Sequence, residues 1–368
     1  MRLLSVETFY AGSHRRFLDE WISHSRHEHE TLTLPGRHWK WRQAGSALWL
    51  AEHIPLQAHE KFDALFVSGM VDLSHLKALR PDLPPILLYV HENQFDYPLS
   101  PGEHVDFRYG LVDLVNTMVA DFTFFNSQYN RQSLFSHAQT LFKRLPDALP
   151  RQALDLAQSK SDVAHPGVRV QEIQAFVQNL RVELPSTTPL IIWNHRHEHD
   201  KNPKLACEAL EALAAEGEDF QLALLGERYS QRPPEFERLH AALGKRILVD
   251  AYPSRQEYWQ WLARGHVVLS TACHENFGIA VVEAVSAGCI PLLPQALAYP
   301  EVMPPNKPEC FWLQEQDVVP QLQHLLSLTS QEKTALGEEL QQWMGRYDWS
   351  FATEILDDGV DALIPRGK

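Results

Sequence analysis

The sequence has few cysteines and no long apolar segment. Its 368 residues contain four cysteines, far apart and without a CxxC pair. This pattern predicts neither a structural zinc site nor a disulfide framework, so we expect reduced thiols. No apolar run approaches the roughly 20 residues of a membrane-spanning helix, and the Met-Arg-Leu-Leu-Ser-Val start is typical of a strand rather than a signal peptide. We therefore expect a cytoplasmic protein.

Positive charge is also scarce. The chain has 33 Lys and Arg against 47 Asp and Glu, a net charge of -14. This balance argues against a generic nucleic-acid coat, because neutralising phosphates requires local Lys and Arg. Most of the acidic excess lies after residue 166, so a local basic surface in the first half is compatible with it. A composition of 44% hydrophobic and 22% charged residues is globular, and the length suits two domains.

Two series of apolar segments alternate with segments of helical spacing. The first series is 3–6, 63–67, 86–90 and 122–125, and the second is 190–193, 221–225, 247–249 and 266–269. The alternation predicts an α/β protein with two Rossmann-like domains. We expect an N-terminal domain over 1–168, rejoined by a C-terminal helix within 349–368, and a C-terminal domain over 169–348. A linker is expected around 167–189, where prolines punctuate a polar stretch.

Residues 270–291, STACHENFGIAVVEAVSAGCIP, form the most informative segment. It is typical of a strand end, a polar turn, a helix and the next strand, with the turn at the ligand-binding edge of a parallel sheet. Gly278 permits close backbone approach, and free amides at Phe277, Gly278 and Ile279 would suit a diphosphate. Glu275 and Glu283 stand a little over two helical turns apart, so they point roughly the same way. The alternative is two solvated glutamates on a helix surface.

The loop WNHRHEHDKN at 193–202 follows the first strand of the second series. Arg196 and Lys201 are placed to reach phosphate oxygens, Arg through a fork and Lys as a compact charge. Alternating histidines in this loop do not converge on an ion unless the loop folds around it, so we predict no metal site. The earlier run HSRHEH at 24–29 is interpreted as a solvated helix end.

Two polar clusters follow strands of the first series, at the edge where α/β sites are built. They are Gly12-Ser13-His14 and His91-Glu92-Asn93. The Gly12 turn leads into a helix and would expose backbone amides to a ligand between the domains. A single glycine in such a turn also has a purely conformational explanation.

A basic and aromatic run occupies positions 37–42. It reads Arg37-His38-Trp39-Lys40-Trp41-Arg42. Alternating cations and indoles hold phosphates and stack bases, with about 1–3 kcal/mol for each stacked base. The alternative is that the tryptophans are core anchors and the cations extend over them.

Together these residues resemble the retaining glycosyltransferases of GT-B fold. The Glu275-to-Glu283 motif with its Asn-Phe-Gly turn carries the resemblance, together with Arg196 and Lys201 before it. The blocks YAGSHRRFLDEW, KWRQAGSALWLA, VHENQ, FNSQYNR and WNHRHEHDKNP are more closely similar to the glycosyltransferase-like domain-containing family, whose eukaryotic members are tRNA-queuosine alpha-mannosyltransferases. This resemblance implies two Rossmann-like domains facing across a cleft. It also implies transfer of mannose from GDP-mannose to queuosine in the anticodon of aspartate tRNA.

The resemblance further implies roles for single residues. The catalytic set would be His91, Arg196, Lys201 and Glu275, with Glu275 on sugar hydroxyls and His91 near the reacting sugar. Donor contacts would come from Gly12, Ser13, Asn276, Phe277, Gly278, Ile279 and Glu283, with Glu283 on the ribose. Acceptor contacts would come from His14, Arg37, Lys40, Trp41, Arg42, Glu92 and Asn93. Transfer would retain the anomeric configuration, with no Mg²⁺ and no cofactor besides the donor.

The sequence departs from the wider group at two places. Many relatives carry paired glycines where this chain has Gly12-Ser13, and a glycine where it has His195, which leaves the roles of His14 and His195 open. Two alternatives also remain: a glycan, lipid or small-molecule acceptor, or a catalytically silent module that binds nucleotide sugar or RNA. The sequence decides neither the donor nucleotide and sugar, nor the tRNA isoacceptor, nor the oligomeric state. It indicates no membrane association and no obligate protein partner.

Overall fold

The computed structural model of the chain describes residues 1–98, 106–144, 147, 150–181, 188–227 and 233–364. The strands are β1 Arg2–Tyr10, β2 Glu28–Pro35, β3 Ala64–Ser68, β4 Ile86–Val90, β5 Phe122–Phe125, β6 Ser161–Val163, β7 Leu190–Trp193, β8 Gln221–Leu224, β9 Ile247–Asp250, β10 Val267–Leu269, β11 Ile290–Pro294 and β12 Phe311–Trp312.

The α-helices connect these strands and cover their sheets. They are α1 Gly12–His24, α2 Trp39–His53, α3 Ala58–Lys61, α4 Leu73–Leu79, α5 Phe107–Val119, α6 Gln128–Phe142, α7 Arg151–Ser159, α8 Val170–Arg181, α9 Pro203–Ala215, α10 Glu235–Leu243, α11 Arg255–Arg264, α12 Ile279–Ser286, α13 Tyr299–Val302, α14 Val318–Ser327, α15 Ser330–Met344 and α16 Trp349–Leu363. Among the described residues, no helix is long and apolar enough to cross a membrane.

The contacts divide the chain into two units. The first contains residues 1–167 together with 349–368, and the second contains residues 168–348. The stretch 167–189, where a linker was expected, instead contains α8, which packs against α11 and α12 in the core of the second unit. Residues 182–187 and 365–368, which belong to the predicted linker and C-terminal segment, lie outside the described residues.

The first unit is built on a parallel sheet of order β2-β1-β3-β4-β5-β6. Consecutive residues of a strand point to opposite faces, and here both faces are covered, so Leu3 packs into one buried cluster and Leu4 into another. Helix α16 joins α1 on the first of these faces. Trp21 Nε1 donates to Asp357 Oδ1 at 2.8 Å, which fixes the end of the chain on this unit.

The second unit is built on a parallel sheet of order β12-β11-β10-β7-β8-β9. Its strands are short and almost wholly apolar, as expected for strands covered by helices on both faces. Because all six are parallel, their carboxyl ends meet at one edge. The loops after β7 and β10 leave the sheet side by side at that edge.

The predicted α/β class and parallel sheets are confirmed, and every predicted strand is present. Periodicity missed β2, β6 and β12. The interpretation of residues 24–29 as a solvated helix end is wrong: α1 ends at His24, and β2 begins at Glu28. His27 is only 9% exposed, and His29 Nδ1 lies 2.8 Å from Ser5 Oγ on β1.

Candidate active site

The polar turn after β10 is held by hydrogen bonds within the second unit. Ser270 Oγ lies 2.7 Å from the hydroxyl oxygen of Tyr299, and Thr271 Oγ1 donates to the carbonyl oxygen of Lys201 at 3.0 Å. Gly278, directly before α12, has a φ of 97°. A Cβ at that position would lie 3.0 Å from Tyr299 Cε1. Both the left-handed backbone and the neighbouring ring therefore favour glycine there.

Lys201 is the cation at the centre of this site. Its Nζ lies 3.0 Å from Asp200 Oδ2 and 3.2 Å from Glu275 Oε2, and it donates to the carbonyl oxygen of His274 at 2.9 Å. The Cys273 amide donates to the carbonyl oxygen of Asp200 at 2.9 Å, which ties the loop after β7 to the turn after β10. Lys201 and Asp200 are 7% and 1% exposed. The two loops thus form one charged cluster.

Burial and charge act in opposite directions on this cluster. Burial alone disfavours the charged forms of Lys201, Asp200 and Glu275, but the attraction between their opposite charges has the larger effect on their pKa values. Glu275 and Asp200 raise the pKa of Lys201. Lys201 lowers the pKa of both carboxyls, and Arg196 adds to this effect at Asp200. At neutral pH the cluster therefore holds one ammonium between two carboxylates.

Arg196 extends this charge toward solvent. Its Nη1 lies 2.9 Å from Glu198 Oε2 and its Nη2 lies 3.6 Å from Asp200 Oδ2, while 44% of the side chain is exposed. His195 is 3% exposed, and burial, aided by the Lys201 charge, lowers its pKa to about 4. It is therefore neutral at pH 7, so Arg196 and Lys201 are the cations available to an anionic ligand in this loop.

Glu283 lies on α12 within a separate hydrogen-bond chain. Tyr258 donates its hydroxyl to Glu283 Oε2 at 3.2 Å, and Asn194 Nδ2 lies 2.8 Å from that hydroxyl oxygen. Asn194 Nδ2 also donates to the carbonyl oxygen of Ala280 at 2.8 Å. These hydrogen bonds orient Glu283 through Asn194, directly after β7, and Tyr258 on α11.

The backbone amides at 277–279 agree only in part with the prediction that all three are free. The Phe277 amide faces Glu275 Oε1 at 3.5 Å, so it is not free as predicted. Gly278 and Ile279 stand at the start of α12, whose first internal hydrogen bonds run from Val281 and Val282 to the Gly278 carbonyl. Asn276 is 6% exposed and contacts His274, with its Nδ2 3.4 Å from His274 Nε2.

In the first unit, His14 and His91 come together beside a buried carboxylate that the sequence reading missed. His14 Nδ1 lies 3.2 Å from Glu7 Oε2, and the rings of His14 and His91 are tilted by 38° with their centroids 4.1 Å apart. Although burial opposes ionisation of Glu7, its hydrogen-bond partners and His14 lower its pKa. Burial and the nearby His14 hold the pKa of His91 well below its usual value. Gly12 and Ser13 are exposed at the start of α1.

The described part of the chain contains one group of side chains with metal-ligand spacing. Glu7, His14 and His91 are the one group there whose ligand atoms all lie within 4.8 Å of one another. Two imidazoles on one ion normally hold their ring centroids farther apart than the 4.1 Å between His14 and His91, because each nitrogen sits about 2.0–2.1 Å from the metal. The hydrogen bond from His14 to Glu7 accounts for the arrangement without an ion.

Glu92 and Asn93 follow β4 but have different environments. Asn93 is fully buried, donates to Asn130 Oδ1 at 2.9 Å, and accepts from the Phe95 amide. Its side chain therefore makes its hydrogen bonds inside the unit, and it is not assigned a role in the proposed function. Glu92 instead lines a small recess with His91. The other residues lining this recess are His14, Gln43, Gly69, Met70, Gln94 and Asp113.

The basic run at 37–42 lies at the start of α2. Arg37 and Lys40 are exposed, and Trp41 is 59% exposed. Lys40 Nζ lies 5.4 Å from the centre of the Trp39 ring, and Arg42 donates to the carbonyl oxygen of Pro35 at 3.2 Å. Trp41 is thus not a core anchor, and its ring is available on the surface beside two cations.

The structure also identifies residues that the sequence reading did not. Asp200, Tyr258 and Asn194 in the second unit and Glu7, Gln43 and Asp113 in the first hold or surround predicted site residues. A polar residue on an otherwise apolar helix was the available signal for Asp113, which stands in FRYGLVDLVNTMV. The other five have no local pattern that sets them apart.

Comparison with known proteins assigns each half of the chain. Residues 2–168 match the family model "tRNA-queuosine alpha-mannosyltransferase N-terminal", and residues 178–342 match "Glycosyl transferases group 1". The chain is 35% identical over 309 residues to the tRNA-queuosine alpha-mannosyltransferase of Drosophila melanogaster, covering 82% of this chain and 81% of that protein. A shorter match of 88 residues, 30% identical and covering 23% of each chain, is to a GDP-mannose:cellobiosyl-diphosphopolyprenol alpha-mannosyltransferase of Xanthomonas campestris.

Solved structures share the fold at low sequence identity. The sucrose-phosphate synthase of Thermosynechococcus elongatus matches with a TM-score of 0.70 and 15% identity, covering 99% of both chains. The Anabaena HepE protein in complex with UDP-glucose also has a TM-score of 0.70, with 14% identity over 98% of this chain and 100% of that one. These likenesses establish the GT-B fold. With the long match to the Drosophila protein, they show that this chain is a glycosyltransferase that belongs to the tRNA-queuosine alpha-mannosyltransferase family.

Proposed function

We propose that this protein transfers mannose from GDP-mannose to queuosine in the anticodon of aspartate tRNA, with retention of the anomeric configuration. The observation that carries the proposal is the 35% identity to the Drosophila enzyme over most of both chains. The charged cluster around Lys201 gives the proposal a chemical basis. Because the acceptor is a tRNA, we place the reaction in the cytoplasm.

The donor diphosphate is assigned to Lys201 and Arg196. When the anomeric C–O bond breaks, its electron pair goes to the departing phosphate oxygen, and negative charge grows there. A buried ammonium and a partly exposed guanidinium stabilise this charge, as does the start of α12 at Gly278 and Ile279. Fixed groups of this kind lower the barrier because they need no reorganisation during the reaction.

The two glutamates are assigned to the neutral parts of the donor. Glu275, held ionised beside Lys201, accepts hydrogen bonds from sugar hydroxyls. Glu283, fixed by Tyr258, accepts from the ribose hydroxyls of the nucleotide. Asn276 and Phe277 shape the turn that carries Glu275, and Gly12 and Ser13 contribute to donor binding from the first unit.

The acceptor hydroxyl forms its new bond to the anomeric carbon on the face that the phosphate leaves. Its proton passes to the departing phosphate, so no protein nucleophile is needed. His91, neutral because its pKa is lowered, is assigned to position the sugar or this hydroxyl through Nε2, and His14, held by Glu7, orients His91. Arg37, Lys40, Trp41 and Arg42 are assigned to the tRNA.

The test is incubation of the purified protein with GDP-mannose labelled in the sugar and with tRNA that contains or lacks queuosine. We expect label only in the queuosine-containing tRNA, in its aspartate isoacceptor. UDP-glucose serves as the matched donor control. Equal labelling of both tRNA samples, or transfer to a lipid extract instead of tRNA, would contradict the proposed acceptor.

A further inference from the structure

The first unit contains an acidic recess, defined by Gln43, Glu92, Gln94 and Asp113 together with His14, His91, Gly69 and Met70. It is narrow, with a cavity volume of about 10 Å³, which is room for roughly one water molecule, so a ligand group binds at its mouth. Of the described residues that line it, none is a lysine or an arginine. It is therefore unlike the donor cluster of the second unit, where each carboxylate has a cation within reach.

Asp113 is the innermost charge of the acidic recess. It is 7% exposed on α5, and it accepts from Gln43 Nε2 at 2.6 Å and from the Gln94 amide at 2.7 Å. Both of these donors are neutral. Burial raises the pKa of Asp113 well above its usual value, and the charge of Glu92 adds to that effect. No cation among the described residues hydrogen-bonds to this carboxyl.

The hydrogen-bond acceptors of the acidic recess also favour a ligand that donates hydrogen bonds. Gln43 is 1% exposed, and its Nε2 is used by Asp113 and by the carbonyl oxygen of Tyr109. Its Oε1 has no hydrogen-bond partner among the described residues. A buried acceptor without a partner costs free energy, so a ligand that donates there stabilises the recess. Glu92 accepts only from Gln94 Nε2, at 3.3 Å, in the hydrogen bonds resolved here.

We propose that the acidic recess binds a protonated amine of the acceptor, with Asp113 and Glu92 as its counter-charges and Gln43 Oε1 as a further hydrogen-bond acceptor. This inference rests on the function proposed above. Queuosine carries its cyclopentene diol on a secondary amine, which is cationic at neutral pH, whereas the rest of a tRNA offers phosphates and neutral bases. A recess with two carboxylates repels phosphate and attracts this one cationic group.

The position of the recess suits this assignment. His91 lines it, and the amine of queuosine is only a few bonds from the hydroxyls that can accept a sugar. An amine held by Asp113 and Glu92 would keep the diol close to His91, the residue assigned to the reacting hydroxyl. Binding of the cation would also favour ionisation of Asp113, so amine binding and proton release from this carboxyl are linked.

The experiment compares two acceptors with three proteins. The acceptors are queuosine-containing tRNA and the same tRNA carrying an analogue in which an ether oxygen replaces the side-chain amine. The proteins are wild type, Asp113→Asn and Glu92→Gln, and the measurement is kcat/KM for transfer from labelled GDP-mannose. We expect wild type to prefer the amine on the order of 10- to 100-fold, the range of a charge-assisted hydrogen bond. Each variant should lose most of this preference while its use of the ether changes little.

Asp113→Asn keeps the size of the side chain, and its remaining oxygen can still accept a hydrogen bond from Gln43 Nε2 or from the Gln94 amide. If this variant does not fold, Glu92→Gln, at a more exposed position, carries the same comparison. Equal use of both acceptors by wild type, or an equal loss on both acceptors in the variants, would overturn the amine site while leaving the mannosyltransferase assignment intact. No transfer to either tRNA by wild type would overturn the proposed function and this inference with it.

Discussion

Asp113 in the first unit and the carboxylates beside Lys201 in the second unit are buried in opposite electrostatic environments. In the second unit, Asp200 and Glu275 share the ammonium of Lys201, and the pKa of each carboxyl is lowered. In the first unit, Asp113 has only neutral hydrogen-bond donors, and its pKa is raised. Both arrangements lie beside loops at the carboxyl ends of parallel strands. This difference is what the two proposals require, since one assigns an anionic diphosphate to the second unit and the other assigns a cationic acceptor group to the first.

This comparison predicts that loss of the Lys201 ammonium has the largest effect on activity and on stability. Lys201→Met removes the only buried cation between two carboxylates, and we expect kcat/KM for GDP-mannose to fall at least about 10²- to 10³-fold. Stability should also fall, by roughly 3–5 kcal/mol, because a buried charge pair has lost one partner. Denaturant unfolding and initial-rate kinetics measure the two effects.

Arg238→Met is the matched control for Lys201→Met. Arg238 lies in the same unit and bonds Glu211 at 2.9 Å, but its side chain is 50% exposed. We expect it to change neither rate nor stability appreciably, since solvent screens exposed ion pairs. Nearly full activity in Lys201→Met would show that the donor charge is held elsewhere.

A smaller effect is expected at Glu283. Glu283→Gln keeps the contact with Tyr258 but weakens acceptance from ribose hydroxyls, so KM for GDP-mannose should rise about tenfold with kcat largely retained. Tyr258→Phe should produce a milder change of the same kind, because it only loosens Glu283. A fall in kcat at unchanged KM would instead place Glu283 at the reacting sugar.

The basic run offers a test on the first unit. Arg37→Ala with Lys40→Ala should weaken tRNA binding by roughly tenfold near 0.1 M salt, and should flatten the salt dependence by about 0.7–0.9 per lost phosphate contact. GDP-mannose binding should be unaffected. Lys61→Ala with Lys77→Ala is the matched control, since both are exposed lysines of the same unit outside this run. Equal weakening in the control pair would argue for a diffuse effect of charge.

The sequence was sufficient to predict the parallel sheets and to place Arg196, Lys201, Glu275 and Glu283 after strands whose apolar runs are visible locally. The roles of these four residues stay predictions. The sequence was insufficient to identify Glu7, Asp113 and Tyr258 as neighbours of the predicted site residues. Their importance comes from neighbours on other elements: Glu7 meets His14 across a strand-to-helix turn, and Asp113 meets Gln43 from another helix. Hydrophobic periodicity reports the face on which a residue lies, but not which polar partner approaches that face.

The smallest expected effect concerns pH and compares one histidine from each unit. Burial lowers the pKa of both His29 and His195 to about 4, whereas an unfolded histidine titrates near 6.5. Between these values the unfolded chain binds more protons than the folded one, so stability falls as pH drops from about 6.5 to 4. Each histidine contributes at most about 1.4 kcal/mol per pH unit. Denaturant unfolding at pH 7, 6 and 5 measures this slope.

The variants His29→Asn and His195→Asn separate the two contributions. Each should flatten the dependence of unfolding free energy on pH, and the double variant should flatten it further, since the residues lie in different units and share no contact. Because both pKa values are about 4, the two variants should flatten the slope by similar amounts. A slope left unchanged by His195→Asn would mean that folding does not lower the pKa of this imidazole, so that it becomes positively charged below about pH 6.5. It would then add a third positive charge to the donor cluster, and the assignment of the diphosphate to Lys201 and Arg196 alone would have to change.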